Sequence, residues 1–135
     1  MKTSNRKTRQ ARKGALTVEV ALCLPILLLT LFGCYELAHA NMLLHATESA
    51  AYEGARVGII PGATEDKIRD AASGVLRTVG ISNFTLTVTP AVITTETEFV
   101  TVNIDVPFRG NTAIPTFFIQ NPTFEGQCIL SREIL

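Results

Sequence analysis

The chain has 135 residues, 47% of them hydrophobic, and equal numbers of basic and acidic residues, which is about one domain's worth. Its neutrality hides an asymmetry: Lys2, Arg6, Lys7, Arg9, Arg12 and Lys13 precede every acid, leaving six basic against twelve acidic residues from Gly14 onward. An acidic body argues against a nucleic-acid partner for that part, and three cysteines do not make a disulfide framework.

The basic stretch leads into an apolar segment. Ala15 to Tyr35 would measure about 31 Å as a helix, the hydrocarbon thickness of a bilayer. Leu24, Leu27, Leu28, Leu29, Leu31 and Phe32 supply the apolar surface. Basic residues ahead of such a run are expected to hold the N-terminus in the cytoplasm and direct the remainder outward. Cys23 and Cys34 lie about 16 Å apart along that helix, beyond bridging distance. Pro25 is expected to kink the helix, or to mark where it yields on leaving the bilayer.

Three processing routes fit the segment. Ala38-His39-Ala40 offers a small-x-small cleavage site for a secretory signal, giving a mature start at Asn41. Leu31-Phe32-Gly33-Cys34 offers a lipoprotein site, weakened by the bulk of Phe32. Neither gives a role to Glu19, a carboxylate that costs on the order of 2.5–3.5 kcal/mol at mid-membrane and less near an interface. A cut after Gly14 does. It creates an α-amino group on Ala15, and Glu19 becomes the fifth mature residue, so the terminus of one subunit can neutralise the carboxylate of the next. A plain single-pass anchor with Glu19 reaching the headgroups is the simpler reading of the same residues.

The basic leader, Gly14, Glu19 and the long apolar run resemble the class III signal of type IV pilins and pseudopilins. More narrowly, Ala15-Leu16-Thr17-Val18-Glu19-Val20-Ala21-Leu22-Cys23-Leu24-Pro25, the leucines after it, Phe32-Gly33 and Tyr35-Glu36 are similar to TadE-like proteins of tight-adherence pilus systems. The resemblance implies cleavage between Gly14 and Ala15 by a prepilin peptidase, subunit registration by Glu19, and membrane packing through Leu24, Pro25, Leu28 and Phe32. It also implies other pilin-like subunits and an inner-membrane assembly platform as partners. Val20 stands where the small major pilins of these systems carry tyrosine, and the chain is longer than they are. Both departures point to a minor pilin or pseudopilin.

Residues 37–60 read as a helical stalk continuing the membrane helix (15–36). Leu37, Leu44, Ala51 and Ala55 recur at helical spacing, with Glu36, Glu48 and Glu53 off that line on the solvated side. Glu36/His39 and His45/Glu48 are i,i+3 pairs, but the two histidines point about 240° apart, so no metal site is expected. Pro61-Gly62 ends the stalk.

An exported head is expected over 61–135. Thr64 caps a helix over 64–79, with Glu65 and Asp66 in its first turn, Gly80 past its end, and Ile68, Ala71, Ala72, Val75, Leu76 and Val79 on one face. Glu65, Asp66 and Asp70 lack calcium-loop spacing. Alternation then predicts strands near 84–89 and 98–106, a last strand near 124–130, and a loop or short helix over 114–119. Asn83-Phe84-Thr85 matches a glycosylation sequon. The expected fold is α+β, a small antiparallel sheet on the amphipathic helix.

No G-x-S-x-G, phosphate loop or C-x-x-C occurs, and Ser82 and Ser131 have no histidine near in sequence. No catalytic activity and no cofactor is expected. The sequence points to a minor pilin or pseudopilin with its head periplasmic or extracellular. The alternative is an anchored or secreted binding domain with an ordinary signal.

Overall fold

In the computed structural model, which describes residues 4–94 and 97–132 and side chains within the first helix from Gly14 onward, the chain is α+β. Lys2, Glu133 and part of the Pro90–Glu98 connection lie outside the described residues, as do the side chains of Arg6, Lys7, Arg9, Arg12 and Lys13. One helix, α1 (Ser4–Gly58), runs from the basic N-terminal stretch through the apolar segment and most of residues 37–60 without a break. Its 55 residues correspond to about 82 Å. Pro25 lies inside it.

α1 stops where the sequence removes helical options. Gly58 is followed by Pro61 and by Gly62 at φ +79°, a left-handed turn that glycine enters without penalty. Thr64 then accepts the Lys67 amide and opens α2 (Glu65–Thr78), with Glu65 and Asp66 at the positive end of the helix. The far end closes with Gly80 at φ +81°: the Ile81 amide reaches the Leu76 carbonyl, and the Gly80 amide that of Arg77. This is a Schellman closure, and it tucks Ile81 into the core at 1% exposure.

Three strands follow as an antiparallel meander, β1 (Thr85–Thr89), β2 (Phe99–Pro107) and β3 (Thr123–Ser131), with β2 central. Register pairs Leu86 with Ile104 and Val88 with Val102 on one side, and Val102 with Cys128 and Ile104 with Gly126 on the other. Val100, Val102, Ile104 and Val106 are fully buried, whereas Thr85, Thr87 and Thr89 are exposed. Both helices cover the same sheet face, leaving the Thr-rich face bare.

α1 contributes small residues to that core. Leu43, Ala46, Thr47, Ala50, Ala51 and Ala55 are buried, and the Thr47 hydroxyl donates to the Leu43 carbonyl at 2.7 Å. Contact is close enough that a Cβ on Gly126 of β3 would lie 2.8 Å from the Thr47 carbonyl oxygen, and one on Gly58 2.7 Å from Val100. Two glycines therefore set how near helix and sheet approach.

The stalk stripe is rotated from the expected one. Ala51 and Ala55 are buried, but Leu37 is 67% exposed and Glu36 is 3% exposed. Helical spacing alone weighed the leucine as core and the carboxylate as solvated. The head reverses this by laying a loop across the Glu36 side. Glu53 does face outward, and Arg56 donates to it at 2.9 and 2.6 Å, holding its carboxyl below the ordinary carboxylate value.

Candidate functional site

Among the described side chains of α1, those from Gly14 to Leu31 are the least covered by the rest of the chain. Every residue from Gly14 to Leu31 is exposed, and the most apolar stretch is wholly uncovered by the head. The helix is long and apolar enough to cross a membrane. A contiguous apolar surface of this extent marks a partner or a lipid environment.

On that surface Ala15 and Glu19 are four residues apart, a separation of about 6 Å that places them on one face. A Cβ on Gly14 would meet nothing within 4 Å. Among the described residues no hydrogen bond or ion pair reaches Glu19. Leu24 and Leu28 are exposed, at 51% and 43%. Past Pro25, the Thr30 hydroxyl donates to the Ile26 carbonyl at 2.5 Å. Phe32 differs from the others. It is half-buried by the head, its ring 5.8 Å from that of Phe117.

The second constellation lies where the apolar segment ends. The Glu36 carboxylate accepts the backbone amides of Phe117, Phe118 (3.0 Å) and Ile119 (2.9 Å). Burial disfavours a carboxylate, and three amides aimed at it compensate. One turn on, His39 Nε2 donates to the Asn111 carbonyl at 2.9 Å, while its ring stacks on Tyr35 and meets the edge of Phe108. The Asn111 side chain accepts the Ser82 and Asn83 amides and donates to the Asn83 and Pro107 carbonyls. Glu36 and His39 thus clamp the β2–β3 loop to the helix.

His39 belongs to the helical stretch 37–60 in sequence, and the structure places it against the β2–β3 loop. His45 and Glu48 form an exposed i,i+3 pair at 3.4 Å. Among the described residues no three His, Cys, Asp or Glu side chains gather as a metal site. Cys23, Cys34 and Cys128 are free. Gly14, Ala15 and Glu19 border one open depression on the helix surface, and Leu24, Pro25, Leu28 and Phe32 follow farther along the same helix. That arrangement suits contacts with other helices rather than chemistry within the chain.

Sequence reasoning passed over Glu36 as an anchor for the head and over Phe117 and Phe118. A carboxylate directly after the charge-free stretch 20–35 is the signal for the first. The apolar loop around Pro115 was the signal for the others.

A family model described as TadE-like protein matches residues 14–56. The matched region is 43 of the 135 residues and takes in nearly all of α1 from Gly14 onward. No curated protein matches the chain, and no solved structure matches it. The TadE-like likeness suggests a pilin-like component associated with a tight-adherence pilus, and the one helix among the described residues that is long and apolar enough to span a bilayer fits a membrane-anchored protein.

Proposed function

We propose that the chain is a minor pilin or pseudopilin of a tight-adherence pilus, made as a precursor, cut by a prepilin peptidase between Gly14 and Ala15, and assembled through α1. The observation that carries this reading is the TadE-like match over 14–56, which takes in the cleavage pair and Glu19 on a helix whose first half the head leaves bare. In the membrane the bare helix packs against lipid and against other pilin-like helices. Glu19 pairs with the Ala15 amine of a neighbour, so two charges that are costly alone in an apolar medium neutralise each other. Leu24, Pro25 and Leu28 form the packing surface below the head. The leader stays cytoplasmic by its charge, and the head faces the periplasm or the outside, served by an inner-membrane assembly platform.

The clamp at Glu36 supports this route over the secretory one. A mature start at Asn41 would remove both Glu36 and His39, stripping the Phe117, Phe118 and Ile119 amides of their acceptor. Three part-buried amides would then have to find another acceptor. The test is mass spectrometry of the mature N-terminus, with and without the host's prepilin peptidase. A start at Ala15 that depends on that peptidase supports the proposal; a start at Asn41, a lipidated Cys34 or an uncut leader overturns it.

A further inference from the structure

The β2–β3 loop buries Phe108 in the core and rests Ile119 against it, but it holds Phe117 and Phe118 toward the membrane end of α1. Phe117 and Phe118 are 64% and 57% exposed. Phe117 touches Phe32, and Phe118 lies 3.6 Å from the Cβ position of Gly33. Phe32 is three residues, about 4.5 Å, short of Tyr35, where the apolar segment ends. Phe118 also lines an apolar groove with Ile26, Leu29, Gly33 and Leu37. Two large rings are therefore held level with the last turn of a membrane-length helix.

Irregular backbone is tolerated at that depth only if its polar groups are satisfied within the protein. The Phe117, Phe118 and Ile119 amides go to Glu36, the Ile114 amide to Thr112 Oγ1, and the Asn121 amide to the Ile119 carbonyl; those of Thr112, Ala113, Thr116 and Gln120 have no acceptor among the described residues, which suits the interfacial region rather than the hydrocarbon. Pro115 and Pro122 have no amide to satisfy. The sequence agrees: between Arg109 and Glu125 no charged residue occurs. Tyr35 next to it is 37% exposed, at the level where tyrosine favours the interface.

We infer that the Phe117–Phe118 loop is a second membrane-contact element, inserting both rings into the interfacial region of the leaflet that α1 leaves, with Glu36 as the internal acceptor that lets the loop enter. The occupant of the apolar surface is lipid, because the patch continues the surface of the membrane segment. Helix and loop together give the head two points of contact with the bilayer, fixing its height and tilt. This inference rests on the proposed membrane reading of α1, and its test separates the two.

The chain contains no tryptophan, so one introduced tryptophan reports alone. The full chain is reconstituted in phosphatidylcholine vesicles carrying bromine either high on the acyl chains or near their ends. Four variants are compared: Phe117→Trp, Phe118→Trp, Leu24→Trp within the span, and Phe99→Trp, which is exposed and beside Val100 at the far end of α1. Emission from positions 117 and 118 is expected to shift to the blue and to be lost chiefly to bromine high on the chains, with Leu24→Trp lost chiefly to deep bromine and Phe99→Trp unaffected. Unquenched emission at 117 and 118 alongside quenched Leu24→Trp overturns the loop inference while leaving the membrane helix standing. A blue shift without quenching that grows with protein-to-lipid ratio assigns the patch to a second copy and likewise overturns it. Unquenched Leu24→Trp overturns the membrane reading and the inference with it.

Discussion

The Glu36 carboxylate of α1 accepts the Phe118 amide at 3.0 Å, joining residues 82 positions apart. Through this bond and its two neighbours, the loop between β2 and β3 is fastened to the point where the apolar segment gives way to the stalk.

Replacing Glu36 by alanine is expected to release that loop without unfolding the sheet. Amide hydrogen exchange at Phe117, Phe118 and Ile119 should accelerate by about tenfold or more, while amides of the buried β2 stay protected. Glu36→Gln, which keeps one good acceptor, should fall between. Unchanged exchange at the three amides would show that something else holds the loop.

Glycine positions separate close packing from open helix. A Cβ on Gly126 would lie 2.8 Å from the Thr47 backbone, so Gly126→Ala is expected to destabilise the head by about 1–3 kcal/mol through overpacking. Gly74, mid-α2 with open space around it, should do the reverse: Gly74→Ala gains about 0.5–1 kcal/mol. Thermal unfolding in detergent, followed by circular dichroism, distinguishes the two signs.

Phe108 is fully buried, with its ring against His39 and Phe124. Phe108→Ala is expected to cost about 3–5 kcal/mol, a transfer loss plus a cavity. The same unfolding measurement reads it; a loss under about 1 kcal/mol would mean that the site collapses around the deletion.

Processing and assembly are expected to come apart at the N-terminal junction. Gly14→Leu should block cleavage, leaving a precursor seen by mass spectrometry. Glu19→Ala should be cleaved normally yet be depleted from sheared pili. Normal incorporation of Glu19→Ala would remove its registering role.

Local signals were enough for much of this molecule. The apolar run after six basic residues, broken by one carboxylate at Glu19, dictates a long apolar helix, because hydropathy and length are properties of the chain itself. Thr64, Gly80 and the 3.6-residue spacing between them define α2, and the alternation at 84–89 and 98–106 defines two strands with their inward faces, since caps and periods are read within a few residues. What periodicity could not supply was which side of the stalk the head would cover. Burial of Glu36 and exposure of Leu37 depend on a loop some 80 residues away, whose amides supply the solvation that water would otherwise give. Only the tertiary structure brings those groups together, and with them the placing of Phe117 and Phe118 beside the end of the apolar segment.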